Sequence, residues 1–420
     1  MNVLIWGIYL TIFCLPLYLV RFEIFSIPTN VLELMIGMLF IAWVIKKFKI
    51  QNSKFKIEDS KLLIPIILIL IGVSIATIFS WDLRVSAGIW KSWFVAPLLF
   101  FIILITTIKK PKEIKKIFWV FISSGFIVAI ISLIYLIQGD LDVHGRLQAF
   151  HNSPNYLAMY LAPVLLVSFW YYFFTFLIRP SEANSGLSPS LSPPLAGNRT
   201  RFGLKTREKT TPKSIFLIVS CLLFVVILFF TKSFGAWMGI IVGLGFGLFL
   251  YLYKSDKKKS ALVIIVLGIL LVLLLVYIKG FILPEGGISL DARIKIWQKA
   301  LEIFKSYPII GIGPGTFEDY FPFYPKWGVP QPHNLYLAFL LQTGIIGFVG
   351  FIWLIIVFFK KGFELLKTQN LMPITFISVM TYILIHGLAD TTYWKNDLSV
   401  IFWMIIGLIT VLPRPRSGPR

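Results

Sequence analysis

The sequence contains four histidines, His144, His151, His333 and His386. Histidine is the side chain best suited to moving a proton near neutral pH. His333 has the most informative setting, in PQPHNLYL, where a proline-rich stretch runs into a long apolar block. The partial positive charge at a helix start disfavours imidazolium, and a neutral imidazole can act as a base towards a hydroxyl. On residue type alone, a boundary histidine that caps the helix or faces water fits the same position. Two arginines stand out in polar stretches, Arg146 and Arg293. A guanidinium presents planar, paired donors that match phosphate oxygens. Arg293 precedes Trp297 by one helical turn, so a cation–π contact or a lipid headgroup is a competing use. Lys232 lies in TKSFGAW between two apolar blocks. A cation there is costly unless it faces a cavity or water. Asp390, in HGLADTTYW, can orient a histidine, pair with an arginine or begin a turn. No DxD-like motif or His/Glu cluster offers a metal site, so no metal or cofactor is expected. The cations would then stabilise a leaving diphosphate.

The elements that must position these residues are membrane helices. Hydrophobic residues make up 57% of the 420 residues and charged residues only 14%, against about 45–50% and about 25% in soluble domains. The excess falls into about twelve blocks: 3–20, 29–45, 62–80, 92–108, 116–137, 154–178, 214–230, 235–253, 261–279, 334–359, 371–388 and 398–412. Each is close to the length that crosses roughly 30 Å of hydrocarbon as a helix. No alternating ten-residue segments of β-barrel type appear. The fold class is therefore expected to be all-α, a polytopic bundle of about twelve transmembrane helices. The net charge of +21 has a topological explanation. When alternate loops are placed on opposite sides, 28 of the 40 lysines and arginines fall on one side, the mark of the cytoplasm. Both termini are expected inside, and the loop 280–332 outside. Nucleic acid is not an expected partner; membrane lipid is. Cys14 and Cys221 lie within apolar blocks and read as small hydrophobes. The N-terminus lacks a basic leader and a small-residue cleavage site, so 3–20 is expected to be a retained helix.

The chain divides accordingly. Residues 1–139 supply N-terminal membrane helices, and 140–178 an outer loop and a helix. Residues 214–279 supply further helices, 280–332 the extracytoplasmic loop, and 333–420 the C-terminal helices. The basic segment 46–61 reads as an interfacial stretch on anionic lipid or as a solvated linker. Residues 179–213 are rich in Ser, Pro, Gly and basic side chains without apolar periodicity, and read as a disordered cytoplasmic insertion. In the 280–332 loop, Ile294, Trp297, Leu301 and Phe304 recur at helical spacing. They predict an amphipathic helix on the outer surface, capped by Ser289 or Asp291 and ended by Pro308. GIGPG then forces a turn, and the aromatics of 317–327 suit a membrane–water boundary. Glu33 is the main charged exception within an apolar block. No internal repeat or matched pair of interrupted helices is visible.

Five segments in order carry a resemblance: GRLQAFHNSPNYLA, TKSFGAWMG, RIKIWQKALEIFKSYPIIGIGPGTF, PHNLYLAFLLQTGIIG and HGLAD. Together they resemble the O-antigen ligase/polymerase superfamily of bacterial envelope proteins, from about residue 140 to the C-terminus apart from the insertion. The resemblance implies a membrane glycosyltransferase fold that uses lipid-linked donors. It implies transfer of a glycan from a polyprenyl-diphosphate carrier to an acceptor hydroxyl, on a glycan or lipid-glycan, at the outer face of the cytoplasmic membrane and without a metal. The family's loop histidine, its proposed general base, maps onto His333. Its diphosphate arginines map onto Arg293 and Arg146. Lys232 joins the expected diphosphate contacts, with Asn334, Asp390 and Trp297 in support. The family's outer turn usually reads Ser-Arg-Gly-Ala-Trp, and here Phe234 stands in the arginine's place. Lys232, two positions earlier, offers a point charge instead of a fork. Two other readings remain: a flippase or transporter of lipid-linked glycan, and an inactive scaffold of an envelope polysaccharide assembly.

Overall fold

The computed structural model describes residues 3–25, 27–49, 60–177, 211–255, 290–320, 330–368 and 370–413, with residues 262, 263, 266 and 268 between them. The expected helix at 261–279 lies largely outside these residues, as do most of the insertion at 179–213, most of the basic segment 46–61, and most of the aromatic segment 317–327.

Among the described residues, six helices are long and apolar enough to cross a membrane. They are α4 (Leu83–Thr107), α5 (Pro111–Ile137), α6 (Pro154–Leu177), α7 (Pro212–Phe230), α8 (Phe234–Lys254) and α11 (Leu335–Leu366). Four shorter apolar helices join them: α1 (Val3–Phe13), α3 (Leu63–Ile78), α12 (Met372–His386) and α13 (Asn396–Thr410). The mildly charged α2 (Val31–Lys49) completes the N-terminal part. The chain is a helical, multi-pass membrane protein. Backbone groups in lipid must be satisfied within the segment, which is why the apolar blocks fold as helices.

Three boundaries differ from the sequence expectation. The first block is not helical to residue 20. α1 stops at Phe13, and a tighter turn follows at Leu15–Leu19, because Pro16 has no N–H to return to the preceding turn. Next comes a two-stranded antiparallel hairpin, β1 (Arg21–Ile24) and β2 (Ile27–Asn30), pairing Arg21 with Asn30. It is the one departure from helix among the described strands and helices. Glu33 is also not a mid-span charge. It lies in the first turn of α2, pairs with Lys91 at 2.9 Å, and accepts from Asn396 Nδ2 at 2.9 Å. That bond ties α2 to α13. Finally, α4 begins at Leu83, earlier than residue 92, because Asp82 accepts the Val85 N–H and caps it.

The centre of the bundle is a close helix pair. A Cβ on Gly72 of α3 would meet the Gly347 nitrogen of α11, and one on Gly350 would meet Ile69. Small residues let two backbones approach where lipid supplies no hydrophobic drive. Above this pair, Phe339 stacks on Phe351 at 4.0 Å, and Phe94, Tyr393 and Trp394 close around them. These rings seat the 387–395 connection.

α9 (Leu290–Ser306) is the expected amphipathic helix, with a different buried face. Ile296, Ala300 and Ile303 are buried against Ile312, Phe317 and Leu341. Trp297 and Phe304 flank them, while Ile294 and Leu301 are exposed. The expected stripe was rotated because the apolar residues surround more than one face, so hydropathy alone did not mark the packed one. Asp291 lies inside the first turn instead of preceding it, and Ser289 is outside the described residues. The helix ends at Ser306, just before Pro308.

The GIGPG segment makes the expected turn, with positive φ at Gly311, Gly313 and Gly315. It docks into a break in α11. Gly344 has φ 64° and ψ −178° inside that helix. The carbonyl freed there, Leu341 O, accepts from Ile312 N at 2.8 Å, and Ile345 N donates to Pro308 O at 3.0 Å. Gln342 adds a side-chain bond to Gly315 N at 2.7 Å.

Candidate active site

Five chain segments converge at one end of the bundle. The first is the connection before α6. Asp142 accepts the backbone N–H groups of His144 and Arg146 through its side chain, an Asx turn that aims Arg146. Leu147 N then donates to Phe230 O at 2.8 Å, so this connection lies on the turn between α7 and α8. The Arg146 guanidinium donates from Nε to Thr231 O at 3.0 Å and from Nη2 to Asn155 Oδ1 at 2.6 Å.

Asn155 carries the contact onward. Its Nδ2 donates to Asp390 Oδ2 at 2.7 Å. The other Asp390 oxygen accepts from Thr391 N at 2.8 Å and faces His333 Nδ1 at 3.3 Å. The result is one chain of contacts, Arg146–Asn155–Asp390–His333. The His–Asp distance is long for a charge-assisted bond. Burial alone would push the Asp390 carboxyl up. The His333 hydrogen bond and the neighbouring His333, His386 and Arg293 outweigh it and hold the group well below the usual carboxylate range. Burial lowers Arg146, and the Asp142 and Asp390 charges oppose that effect.

His333 is held at φ 46°, in the left-handed region that a bulky residue rarely adopts. Three neighbours fix it. Trp297 Nε1 donates to Pro332 O at 3.1 Å. Asn334 caps α11 by accepting from Tyr336 N and Leu337 N, and its own Nδ2 donates to Leu388 O at 3.1 Å. Leu335 N donates to Gly387 O at 2.7 Å. Arg293 reaches the same connection from α9, donating from Nη1 to Ala389 O at 2.7 Å. Its Nε is buried without a hydrogen-bond partner.

Lys232 lies in the α7–α8 turn, exposed, with φ 48°. Its Nζ would lie 3.6 Å from a Cβ on Gly145, beside Arg146. The turn itself rests on the last segment, for a Cβ on Gly235 would meet His386 Cδ2 at 2.5 Å and Ala389 Cβ at 3.2 Å. That contact places Phe234 next to the site. Arg146, Lys232, Arg293, Trp297, His333, Asn334 and Asp390 therefore all stand at one end, as their sequence positions suggested. Of the other histidines, His386 is buried and bonded to the Tyr382 hydroxyl at 2.8 Å. His151 is buried and stacked on Phe150 at 4.6 Å. His144 takes part through its backbone.

Sequence reasoning missed Asn155. It follows Pro154 at the start of α6, where Ser153 caps the helix, so its amide looked like ordinary helix-start chemistry. Its place in the segment GRLQAFHNSPNYLA was the available signal.

Chemically the site combines a partly exposed imidazole, backed by an anionic carboxylate, with arginine donors that protein groups do not fully occupy. This suits deprotonation of a hydroxyl beside a bound anion. Residues 219–352 match the family model described as O-Antigen ligase. No curated protein matches the chain. The matched region contains Lys232, Phe234, Arg293, Trp297, His333 and Asn334, and the fold brings Arg146, Asn155 and Asp390 to them from outside it. Over residues 219–352, the chain is similar to the O-antigen ligase family, and this match supports the O-antigen ligase/polymerase superfamily.

Proposed function

We propose that the protein transfers a glycan from a polyprenyl-diphosphate-linked donor to an acceptor hydroxyl at the outer face of the cytoplasmic membrane, with both termini in the cytoplasm. The acceptor is a glycan or a lipid-glycan, which covers both chain extension and ligation. The observation that carries this reading is the unbroken contact chain from Arg146 through Asn155 and Asp390 to His333. Asp390, held as an anion, can only accept, so His333 Nδ1 is the donor in that pair. The lone pair then lies on Nε2, the atom that takes the acceptor proton. The acceptor oxygen attacks the anomeric carbon, and the bond from that carbon to the diphosphate oxygen breaks. Arg293, Arg146 and Lys232 offset the charge that develops on the departing diphosphate. In this reading cationic side chains take the role that a metal ion fills in many glycosyltransferases.

The test is His333→Ala, purified and assayed with lipid-linked glycan. Transfer is expected to fall by on the order of 10²–10⁴-fold, the usual contribution of a general base, with undecaprenyl-diphosphate binding retained. Wild-type turnover in that variant would overturn the mechanism.

A further inference from the structure

We propose that Asn155 is a positioning residue that holds the leaving-group arginine and the base's carboxylate apart, so that each stays available for its own task. The proposal rests on the transfer reading and extends it. Arg146 is a cation and Asp390 an anion, both largely shielded from water. Left in contact they would pair directly, and a bidentate guanidinium–carboxylate pair is the strongest arrangement open to them. Such a pair would withdraw the guanidinium from a diphosphate and the carboxylate from His333. Asn155 stands between them instead, at 2.6 Å from Arg146 Nη2 and 2.7 Å from Asp390 Oδ2.

An amide fits that place without adding charge. Arginine has donors and no acceptor, and an ionised carboxylate has acceptors and no donor. The amide offers one of each, so its orientation is fixed, with Oδ1 towards Arg146 and Nδ2 towards Asp390. Asp390 is then committed at Oδ2 and leaves Oδ1 for His333. Neither bond serves the helix that Asn155 begins. The partners lie 9 and 235 positions away, and Ser153 already supplies the cap. The charged and titratable groups facing this point are Arg146 and Asp142 from the first connection, Tyr156 from α6, Lys232 from the α7–α8 turn, Arg293 from α9, His333 from the start of α11, Tyr382 and His386 from α12, and Asp390 beyond it.

Two variants test the proposal in the full-length protein in detergent. Asn155→Leu removes the spacer. Its melting temperature is expected to stay near that of the wild type. Undecaprenyl diphosphate should bind more weakly, by about ten-fold, and kcat should fall by on the order of 10²-fold, as for misplaced catalytic groups. Asn155→Asp places a second carboxyl against Asp390. Like charges at that distance cannot both ionise freely, so the variant regains a donor when the pair takes up a proton. Its kcat relative to the wild type is expected to rise as pH falls from 8 to 5. Packing alone would leave that ratio flat, and a flat ratio overturns the proposal. So does wild-type binding and turnover in both variants. A wild-type protein that binds undecaprenyl diphosphate without transferring glycan would sink the transfer reading, while the effect of Asn155→Leu on binding would still decide for or against the spacer.

Discussion

His333 and Lys232 are two of the four non-glycine residues with positive φ among those described. A left-handed backbone costs such residues about 1–3 kcal/mol and persists only where surrounding contacts enforce it. For His333 those contacts are the Asn334 cap and the Trp297 bond to Pro332. The four histidines thus separate by environment. The His333 side chain is 20% exposed and paired with a carboxylate. His151 is buried beside Lys395, and burial first, then that charge, pushes it down to about 3. The unfolded chain therefore binds a proton at His151 more readily than the native protein does. The stability linked to neutral His151 is complete above about pH 6.5 and is lost as pH falls towards 3. His151→Phe, which keeps a ring against Phe150, is expected to shrink the fall in melting temperature between pH 7 and pH 4. An unchanged fall would show that His151 is not the responsible group. The site's charged residues were legible because charges at the edges of apolar blocks are costly and few. Asn155 was not legible, because its functional partner lies 235 positions away and its local setting has an adequate explanation of its own.

At the scale of elements, the join between the GIGPG turn and the broken α11 fixes the distance between α9 and His333. Gly344 is the residue on which it depends, since a Cβ there would collide with the Ile309 carbonyl and φ is 64°. Gly344→Ala is expected to destabilise the protein by at least about 1–3 kcal/mol. The loss would appear as a lower melting temperature and as faster proteolysis near residues 306–316. Gly37→Ala, where nothing lies within 4 Å of the new Cβ, should melt like the wild type. Equal melting of the two variants would show that the break is not a structural requirement. The glycine-rich turn was legible because its residue types permit positive φ. The break in α11 was not, because QTGIIG reads as continuous apolar helix, and only the tertiary contact with Pro308 and Ile312 shows where it opens. The packed face of α9 escaped for a related reason. Ala300 is buried but carries little hydropathy, while Leu301 is apolar and exposed.

For the whole molecule, the orientation reading makes a direct prediction. In a background with Cys14 and Cys221 replaced by Ser, Val143→Cys places a thiol at a position 95% exposed. A membrane-impermeant maleimide should label it in intact cells, and should label Lys360→Cys only after lysis. The reverse pattern would overturn the assignment of sides. The transporter reading loses ground at this scale, because Glu33, the main charged exception within an apolar block, sits in the first turn of α2 and is paired. The bond from Asn396 to Glu33 spans 363 positions and has a consequence for biogenesis. As the chain leaves the ribosome, Glu33 meets Asn30 at once and Lys91 when α4 inserts. A further partner, Asn396, arrives only with α13. Asp390 comes off just before that helix, so the locking of the first helices and the completion of the His333 pair fall at the same stage of synthesis.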